Sequence, residues 1–213
     1  MDITEMYDHT YGGLSAAEKQ MIDTANEEFG FKPDPSLLLH QNIPKPLHGI
    51  APRVVLGRKW WDGTRMEAYK STGFRCAACG VRASDAKFKQ WLEAHEVYAF
   101  DYKNLRLTYL YTVPLCHACH SFIHCGRLRV MKDKGKLSEE VYREIIAHGK
   151  NVLECAGLPP SGEPETSKKT KWNDWRMEIN GKLYGPSTRS YVAWKRGFWK
   201  YWKPDGDEIE WTH

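Results

Sequence analysis

The residues from Leu115 to His124 read LCHACHSFIH and combine a C-x-x-C knuckle with two following histidines. Cys116 and Cys119 have the spacing of zinc-binding thiolates, and a second knuckle, Cys76-Ala-Ala-Cys79, lies upstream. Two such knuckles are typical of a tetrahedral zinc site, which is closed and stabilises structure. The sequence therefore predicts one structural zinc held by Cys76, Cys79, Cys116 and Cys119.

A second group of potential metal ligands lies in the same block of sequence. His120 and His124 are spaced i and i+4 on a predicted helix, so both project from one face. His95, followed by Glu96, lies at the end of a predicted strand. Imidazoles beside a carboxylate can hold a divalent ion and leave positions for a substrate. We predict that His95, His120 and His124 bind a catalytic ion such as Mg²⁺, Mn²⁺, Ni²⁺ or Zn²⁺.

Each of these side chains also has a structural alternative. His120 could cap the knuckle, His95 could bond a backbone group at its strand end, and His124 suits the negative end of a helix dipole. Glu96 could activate water, coordinate the ion or be a plain structural carboxylate. The sequence leaves these alternatives open.

Composition and the first residues predict a globular protein without a secretion signal. The chain has 213 residues, of which 41% are hydrophobic, and a mean hydropathy of −0.63. Its start, MDITE, has no basic segment before an apolar run, and no stretch approaches the roughly twenty apolar residues that span a bilayer. Knuckles without a secretion signal fit a reducing cytoplasm, where they bind metal. We expect a cytoplasmic protein in which Cys125 and Cys155 are buried free thiols.

Periodicity and turn residues predict an α+β fold. A capping box at Ser15 opens a helix that stops at Gly30, and the proline-rich residues 33–52 should form an extended arm. A short helix over about residues 64–71 leads into the first knuckle. The further predicted elements are strands at 91–97 and 105–115, helices at 117–125 and 138–157, and a hairpin at 175–184 that turns at Asn180-Gly181.

These elements suggest four segments along the chain. Residues 1–72 form the N-terminal helix and arm, and residues 73–158 form a zinc-stapled core with its following helix. Residues 159–171 (PPSGEPETSKKTK) have the proline, serine and charge content of a linker. Residues 172–213 should form a small tryptophan-rich domain that contains β structure.

The order of motifs in the central block resembles that of the HNH nucleases, the ββα-metal family. A knuckle, a strand ending in a histidine, a return strand and a knuckle followed by a His-bearing helix cover roughly residues 76–126. The family's L-E-V-H-H-I and L-C-x-x-C-H-x-x-x-H motifs match LEAHEV at 92–97 and LCHACHSFIH at 115–124. The resemblance implies a zinc-stapled ββα-metal core and a metal-dependent endonuclease that hydrolyses phosphodiester bonds in DNA.

Two positions depart from the family pattern. His95 falls on the first histidine of the family's pair, usually a metal ligand, whereas Glu96 falls on the second, the histidine that activates water. The family's middle asparagine falls near Tyr111, and Asn104 is too early in the chain. The resemblance therefore leaves Glu96 as the candidate general base.

Basic residues cluster in places that suit a phosphate-contacting surface. Two arginines follow the knuckle helix, and the tail interleaves cations with aromatic residues, a combination that can stack on bases and contact phosphates. The same aromatic residues could instead form a small core. The predicted partner is double-stranded DNA, and its predicted contacts are Arg127, Arg129, Lys195, Arg196, Lys200 and Lys203.

Two functions of different class are compatible with the sequence. The first is a metal-dependent DNA endonuclease, and the second is a catalytically inert module that keeps the zinc-stapled frame and binds nucleic acid or a protein partner. Three convergent imidazoles beside a carboxylate favour the endonuclease, because an inert module has little physical reason to keep them.

Overall fold

The computed structural model describes residues 31–40, 43, 45–159 and 174–185. The predicted helix from Ser15, most of the 159–171 linker and the tail with Lys195, Arg196, Lys200 and Lys203 lie outside the described residues. The described part of the chain divides into two compact units. The first comprises residues 31–40, 67–95 and 113–159, and the second comprises residues 43, 45–66, 96–112 and 174–185.

The described residues form a mixed α+β structure with five α-helices and a four-stranded mixed sheet, which confirms the predicted class. The helices are α1 (Pro52–Val55), α2 (Gly57–Ser71), α3 (His117–Ile123), α4 (Cys125–Asp133) and α5 (Glu139–Cys155). The strands are β1 (Leu92–Asp101), β2 (Arg106–Cys116), β3 (Arg176–Ile179) and β4 (Lys182–Tyr184). Short 3-10 turns cover Pro35–Leu39, Lys45–Ile50 and Ala83–Asp85. Within these residues, no helix is both long enough and apolar enough to span a bilayer.

The sheet has the strand order β1-β2-β3-β4. The connection between β1 and β2 is too short for a crossover, so these strands are antiparallel, whereas β3 pairs parallel to β2. In the antiparallel β3–β4 hairpin, Asn180 and Gly181 both have positive φ, 51° and 77°. A type I′ turn requires positive φ at both central residues, so the hairpin predicted at 175–184 is confirmed.

The second unit has its own apolar core. The 3-10 turn Lys45–Ile50 packs against β3 and places two fully buried side chains there. The core consists of Leu47, Ile50, Tyr98, Leu107, Trp175, Met177 and Ile179. This core holds the turn end of the β1–β2 hairpin, while the opposite end of both strands belongs to the first unit.

In the first unit, α3, α5 and the 3-10 turn Pro35–Leu39 pack against one another. Ser138 caps α5 by accepting a hydrogen bond from the amide of Val141 at 3.2 Å, and Gly157 follows its end with φ 68°, as the sequence predicts. Ile145 and Leu153 of α5 are buried. This packing fixes α3, the helix that begins at the second knuckle.

Two elements ahead of the first knuckle differ from the prediction. α2 begins at Gly57 rather than near residue 64, because Trp60 and Trp61 continue the helical pattern and Gly63 is exposed within it. Residues 33–52 contain two 3-10 turns in place of an extended arm. Asp34 favours the first of them, because its carboxylate accepts from the amide of Ser36 at 3.0 Å.

The helix after the second knuckle also differs from the prediction. α3 ends at Ile123, and a new helix begins at Cys125, so Gly126 lies inside α4 and does not end the first helix. The backbone of His124, with φ −92° and ψ 36°, separates the two helices. Cys125 and Cys155 are exposed, so the expectation that they are buried thiols is wrong.

Candidate metal centre

The first knuckle is a tight turn tied to the end of β2. The amide of Gly80 donates to the carbonyl of Cys76 at 2.8 Å, and Gly80 has φ 77°, which residues with a side chain rarely adopt. The amide of Ala77 donates to the carbonyl of Pro114 in β2, also at 2.8 Å. This bond brings the first knuckle to the point in the chain where the second knuckle begins.

The four knuckle sulfurs converge. Cys116 ends β2 and caps α3, where its Sγ accepts from the amide of Cys119 at 3.5 Å. The four Sγ atoms all lie within 4.8 Å of one another, and those of Cys79 and Cys116 are 3.9 Å apart. Two sulfurs bound at about 2.3 Å to one tetrahedral zinc are about 3.8 Å apart. The cluster of Cys76, Cys79, Cys116 and Cys119 could therefore hold a structural zinc.

The thiols of this cluster cannot all ionise together without a cation. Hydrogen bonds from the other three thiols, Cys116 first, hold the pKa of Cys76 well below its usual range. The same crowding raises the pKa of Cys119, chiefly through its contact with Cys116. A divalent cation removes this conflict, because it stabilises all four groups as thiolates.

His148 of α5 contacts the thiol cluster, although the sequence predicts no role for this residue. Nε2 of His148 lies 3.3 Å from Sγ of Cys119. The pKa of His148 is raised, chiefly by its hydrogen bond with Cys116, while burial acts in the opposite direction. An N–H donor at this position would orient and stabilise a metal-bound thiolate.

We expect His148→Phe to release zinc from the thiol cluster about ten- to a hundredfold more readily than wild type, because the ring is kept and only the N–H···S bond is lost. A colorimetric chelator would measure the release. Lys150→Ala, an exposed change on the same helix, is the matched control. Equal zinc release from His148→Phe and wild type would contradict a role for His148 in holding the thiolates.

Three histidines of the first unit form a second cluster, as the sequence predicts. His95 is buried on β1, and His120 and His124 are half-buried at α3 and its end. One ring nitrogen from each lies within 4.8 Å of the others, and the His120 and His124 ring centroids are 4.7 Å apart. Three imidazole nitrogens at this spacing could hold a divalent ion.

The carboxylate of Glu93 adjoins this histidine cluster, and the sequence prediction does not include it. Glu93 lies two residues before His95 and therefore on the same face of β1. One of its oxygens accepts from Nδ1 of His120, and the other lies 2.8 Å from Nδ1 of His117. Because Nδ1 of His120 is used in this way, Nε2 of that ring offers the lone pair to a metal.

The charge of Glu93 is fixed by its two histidine partners. Burial opposes its ionisation, but the hydrogen bonds from His117 and His120 outweigh burial and hold the pKa of Glu93 well below its usual range. Glu93 is therefore an acceptor at neutral pH. A carboxylate behind a ligand histidine fixes its tautomer and raises its basicity, which favours metal binding.

Glu96 belongs to the second unit, where it pairs with Arg53. Nη1 of Arg53 donates to both carboxylate oxygens, at 2.8 and 3.0 Å, and the Glu96 side chain is only 8% exposed. Successive side chains of a strand point to opposite faces, so Glu96 leaves β1 on the face opposite to His95. The role of Glu96 as general base stays a prediction, and the structure gives its carboxylate another partner.

Neither position considered for the family's asparagine belongs to the histidine cluster. Asn104 lies in the turn between β1 and β2, where its side-chain and backbone N–H groups donate to Asp101 at 2.7 and 2.9 Å. Tyr111 on β2 is 50% exposed. Both are residues of the second unit, whereas the cluster consists of first-unit residues.

His40 adjoins the histidine cluster, although the sequence analysis gives it no role. It follows the 3-10 turn Pro35–Leu39, and its Nδ1 lies 3.4 Å from Nε2 of His95. Burial lowers the pKa of His40 more than the charge of Asp34 raises it. No local motif signals this position, because His40 lies 55 residues before His95 in the chain.

The two predicted DNA-contacting arginines within the described residues are exposed on α4. Arg127 lies in the first turn of this helix, three residues after His124. Arg129 bonds to the hydroxyl of Tyr142, which raises the pKa of the guanidinium. The structure thus puts Arg127 on the helix that begins directly after the histidine cluster.

Comparisons with known proteins found no match for this chain. No protein family, no curated protein and no solved structure matches the chain.

Proposed function

We propose that the protein is a metal-dependent endonuclease that hydrolyses phosphodiester bonds in DNA at the histidine cluster. The observation that carries the proposal is the convergence of His95, His120 and His124, with Glu93 accepting a hydrogen bond from Nδ1 of His120. A structural zinc needs four ligands that fill its coordination, which the thiol cluster supplies separately. Three imidazoles are a ligand set that leaves positions for a substrate.

The resemblance to the HNH nucleases supports the same proposal. β1, β2 and α3 follow one another as two antiparallel strands and a helix, and the histidines lie on β1 and α3. A knuckle precedes β1 and another begins α3. This is the order in which zinc-stapled ββα-metal nucleases arrange their elements and ligands.

The donor atoms indicate which ions suit the site. Imidazole nitrogen suits Ni²⁺, Zn²⁺ and Fe²⁺, whereas Mg²⁺ prefers oxygen ligands. A bound divalent ion would polarise the scissile phosphate and neutralise the leaving oxygen. The protein's own part is to hold three nitrogens in place, with Glu93 keeping the tautomer of His120. We expect Ni²⁺ or Co²⁺ to support activity better than Mg²⁺, with Mn²⁺ between them because it also prefers oxygen ligands.

Arg127 supports DNA as the substrate. Its guanidinium is exposed in the first turn of α4, the helix that starts directly after His124. A guanidinium there can bond two phosphate oxygens at once and hold the backbone in register. Lys195, Arg196, Lys200 and Lys203 of the tail, which lie outside the described residues, remain predicted contacts.

The inert binding module is the second candidate, and the environment of Glu96 favours it. The water-activating histidine of the family is replaced by this glutamate, whose two oxygens are occupied by Arg53. A carboxylate held in this way is poorly arranged to take a proton from water. The module would keep both clusters for structure and would bind nucleic acid without cleaving it.

Plasmid cleavage separates the two candidates. We expect the wild-type protein to nick or linearise supercoiled plasmid with Ni²⁺, Mn²⁺ or Co²⁺, and His95→Ala/His120→Ala to be at least about a hundredfold slower. Equal cutting by both proteins would contradict the proposed site. Retained DNA binding without cutting by wild type, with every ion, would favour the inert module.

A further inference from the structure

Residues 87–91 (KFKQW) form a loop directly before β1 that combines lysines with aromatic residues. The two aromatic side chains, Phe88 and Trp91, are half-buried, so part of each ring remains in contact with solvent. Cations beside accessible aromatic rings are typical of surfaces that bind a nucleic-acid strand. Residues 87–91 are called the Phe88 loop below.

The backbone of Phe88 is in the left-handed region, with φ 74°. Bulky residues rarely adopt this conformation, whereas glycine adopts it readily. Among the described residues, Phe74 and Leu105 also combine a large side chain with positive φ, but Phe74 is buried and Leu105 packs against the core of the second unit. The ring of Phe88 is only half-buried, so core packing explains it less well. Backbone strain of this kind occurs preferentially at functional sites.

Each lysine of the Phe88 loop lies over an aromatic ring. Nζ of Lys87 is 5.4 Å from the ring centroid of Phe88 and 3.1 Å from a carboxylate oxygen of Glu144. The side chains of this ion pair are 68% and 39% exposed, so the pair is weak and can exchange its carboxylate for a phosphate. Nζ of Lys89 is 5.2 Å from the ring centroid of Trp91. The loop therefore offers cations and rings side by side.

The Phe88 loop is linked to the histidine cluster through Glu93. The ring of Phe88 meets the ring of His117 edge-on, with centroids 6.3 Å apart. Nδ1 of His117 is 2.8 Å from one oxygen of Glu93, and the other oxygen accepts from Nδ1 of His120. Nζ of Lys89 is 3.1 Å from the same carboxylate. A strand bound at this loop would thus lie beside the candidate ion site.

We propose that the Phe88 loop binds the substrate strand of DNA, with the ring of Phe88 stacked on an unpaired base and Lys87 on a phosphate. The proposal rests on the proposed nuclease function and narrows its substrate to DNA that contains unpaired bases. A paired base in a duplex presents only its edges in the grooves. An unpaired base presents a face, on which an aromatic ring can stack.

Fluorescence anisotropy tests the proposal without relying on cleavage. The probes are a labelled DNA duplex and the same duplex with a bubble of unpaired bases, and the protein has zinc in its thiol cluster and no other added ion. We expect wild type to bind the bubble more tightly than the duplex. Phe88→Gly should bind the bubble about five- to a hundredfold more weakly and lose this preference, because glycine keeps the backbone conformation and removes only the ring.

Two further variants separate stacking from packing. Phe88→Tyr keeps the ring and should match wild type, whereas Phe88→Leu keeps an apolar side chain without a ring and should behave like Phe88→Gly. Melting temperature and zinc content check that each variant is folded. If Phe88→Gly melts well below wild type, the comparison of Phe88→Leu with Phe88→Tyr decides.

The outcomes distinguish this proposal from the nuclease. Equal affinity of wild type and Phe88→Gly for the bubble, or an equal loss for bubble and duplex, would overturn stacking by Phe88 and leave the nuclease untouched. No binding of either DNA by wild type would overturn both proposals. A loss by Phe88→Gly that is confined to the bubble would support the Phe88 loop even if wild type cuts no plasmid, and in that case only the nuclease proposal fails.

Discussion

Cys116→Ser is expected to unfold the first unit. Cys116 ends β2, caps α3 and contributes one of the four converging sulfurs, so the change would remove a ligand of a bound zinc and also the cap of α3. Structural zinc contributes about 10–16 kcal/mol in small zinc-dependent domains. A folded domain is stable by only about 5–15 kcal/mol. Losing the metal therefore removes about as much free energy as the unit has in total.

Circular dichroism and zinc content measure this effect. Cys116→Ser should have less than the wild-type zinc content and should lose the cooperative melting of the first unit. Cys125→Ser is the matched control, because Cys125 is exposed and lies outside the cluster. A cooperative transition of Cys116→Ser within a few degrees of the wild-type melting temperature would mean that the thiol cluster does not hold the fold together.

His120→Ala is expected to abolish ion binding at the histidine cluster while the protein stays folded. It removes one of three converging nitrogens and also the hydrogen bond that keeps Glu93 in place. Losing a residue that only supports a metal ligand weakens metal binding by about ten- to a hundredfold, so losing a ligand itself should weaken binding by at least about a hundredfold. Metal content should fall by one ion, zinc in the thiol cluster should remain, and plasmid cleavage should fall below detection.

His117→Ala is the matched control for this change. His117 lies on the same helix and contacts the same carboxylate, but its ring is not one of the three that converge. We expect a loss of Co²⁺ affinity of about tenfold or less. If His117→Ala and His120→Ala weaken Co²⁺ binding equally, the effect comes from disturbing Glu93 and not from removing a ligand.

Local spacing explains which parts of the site the sequence predicts. The knuckles and the His120–His124 pair are visible in the sequence because their members are only three or four residues apart in the chain. Glu93 could also have been found, since a residue two positions before a strand ligand shares its face. The family motif instead favours Glu96, which leaves the strand on the opposite face.

The parts that sequence reasoning misses depend on tertiary packing. His40 and His148 reach the two clusters because a 3-10 turn and α5 pack beside α3, and neither histidine has a ligand-like neighbour in the chain. The predicted end of the knuckle helix is wrong for a related reason. His124 breaks the helix between Ile123 and Cys125, where the sequence offers Gly126 as the end.

Cys119 and His120 are consecutive residues of α3, so a single turn of helix supplies ligands to both clusters. A zinc bound by the thiolates would fix that turn and, with it, the position of His120. Oxidation of the cysteines would release such a zinc and remove its support from the turn that carries His120. Any ion binding by the three histidines would then depend on the zinc content and the thiol redox state of the other cluster.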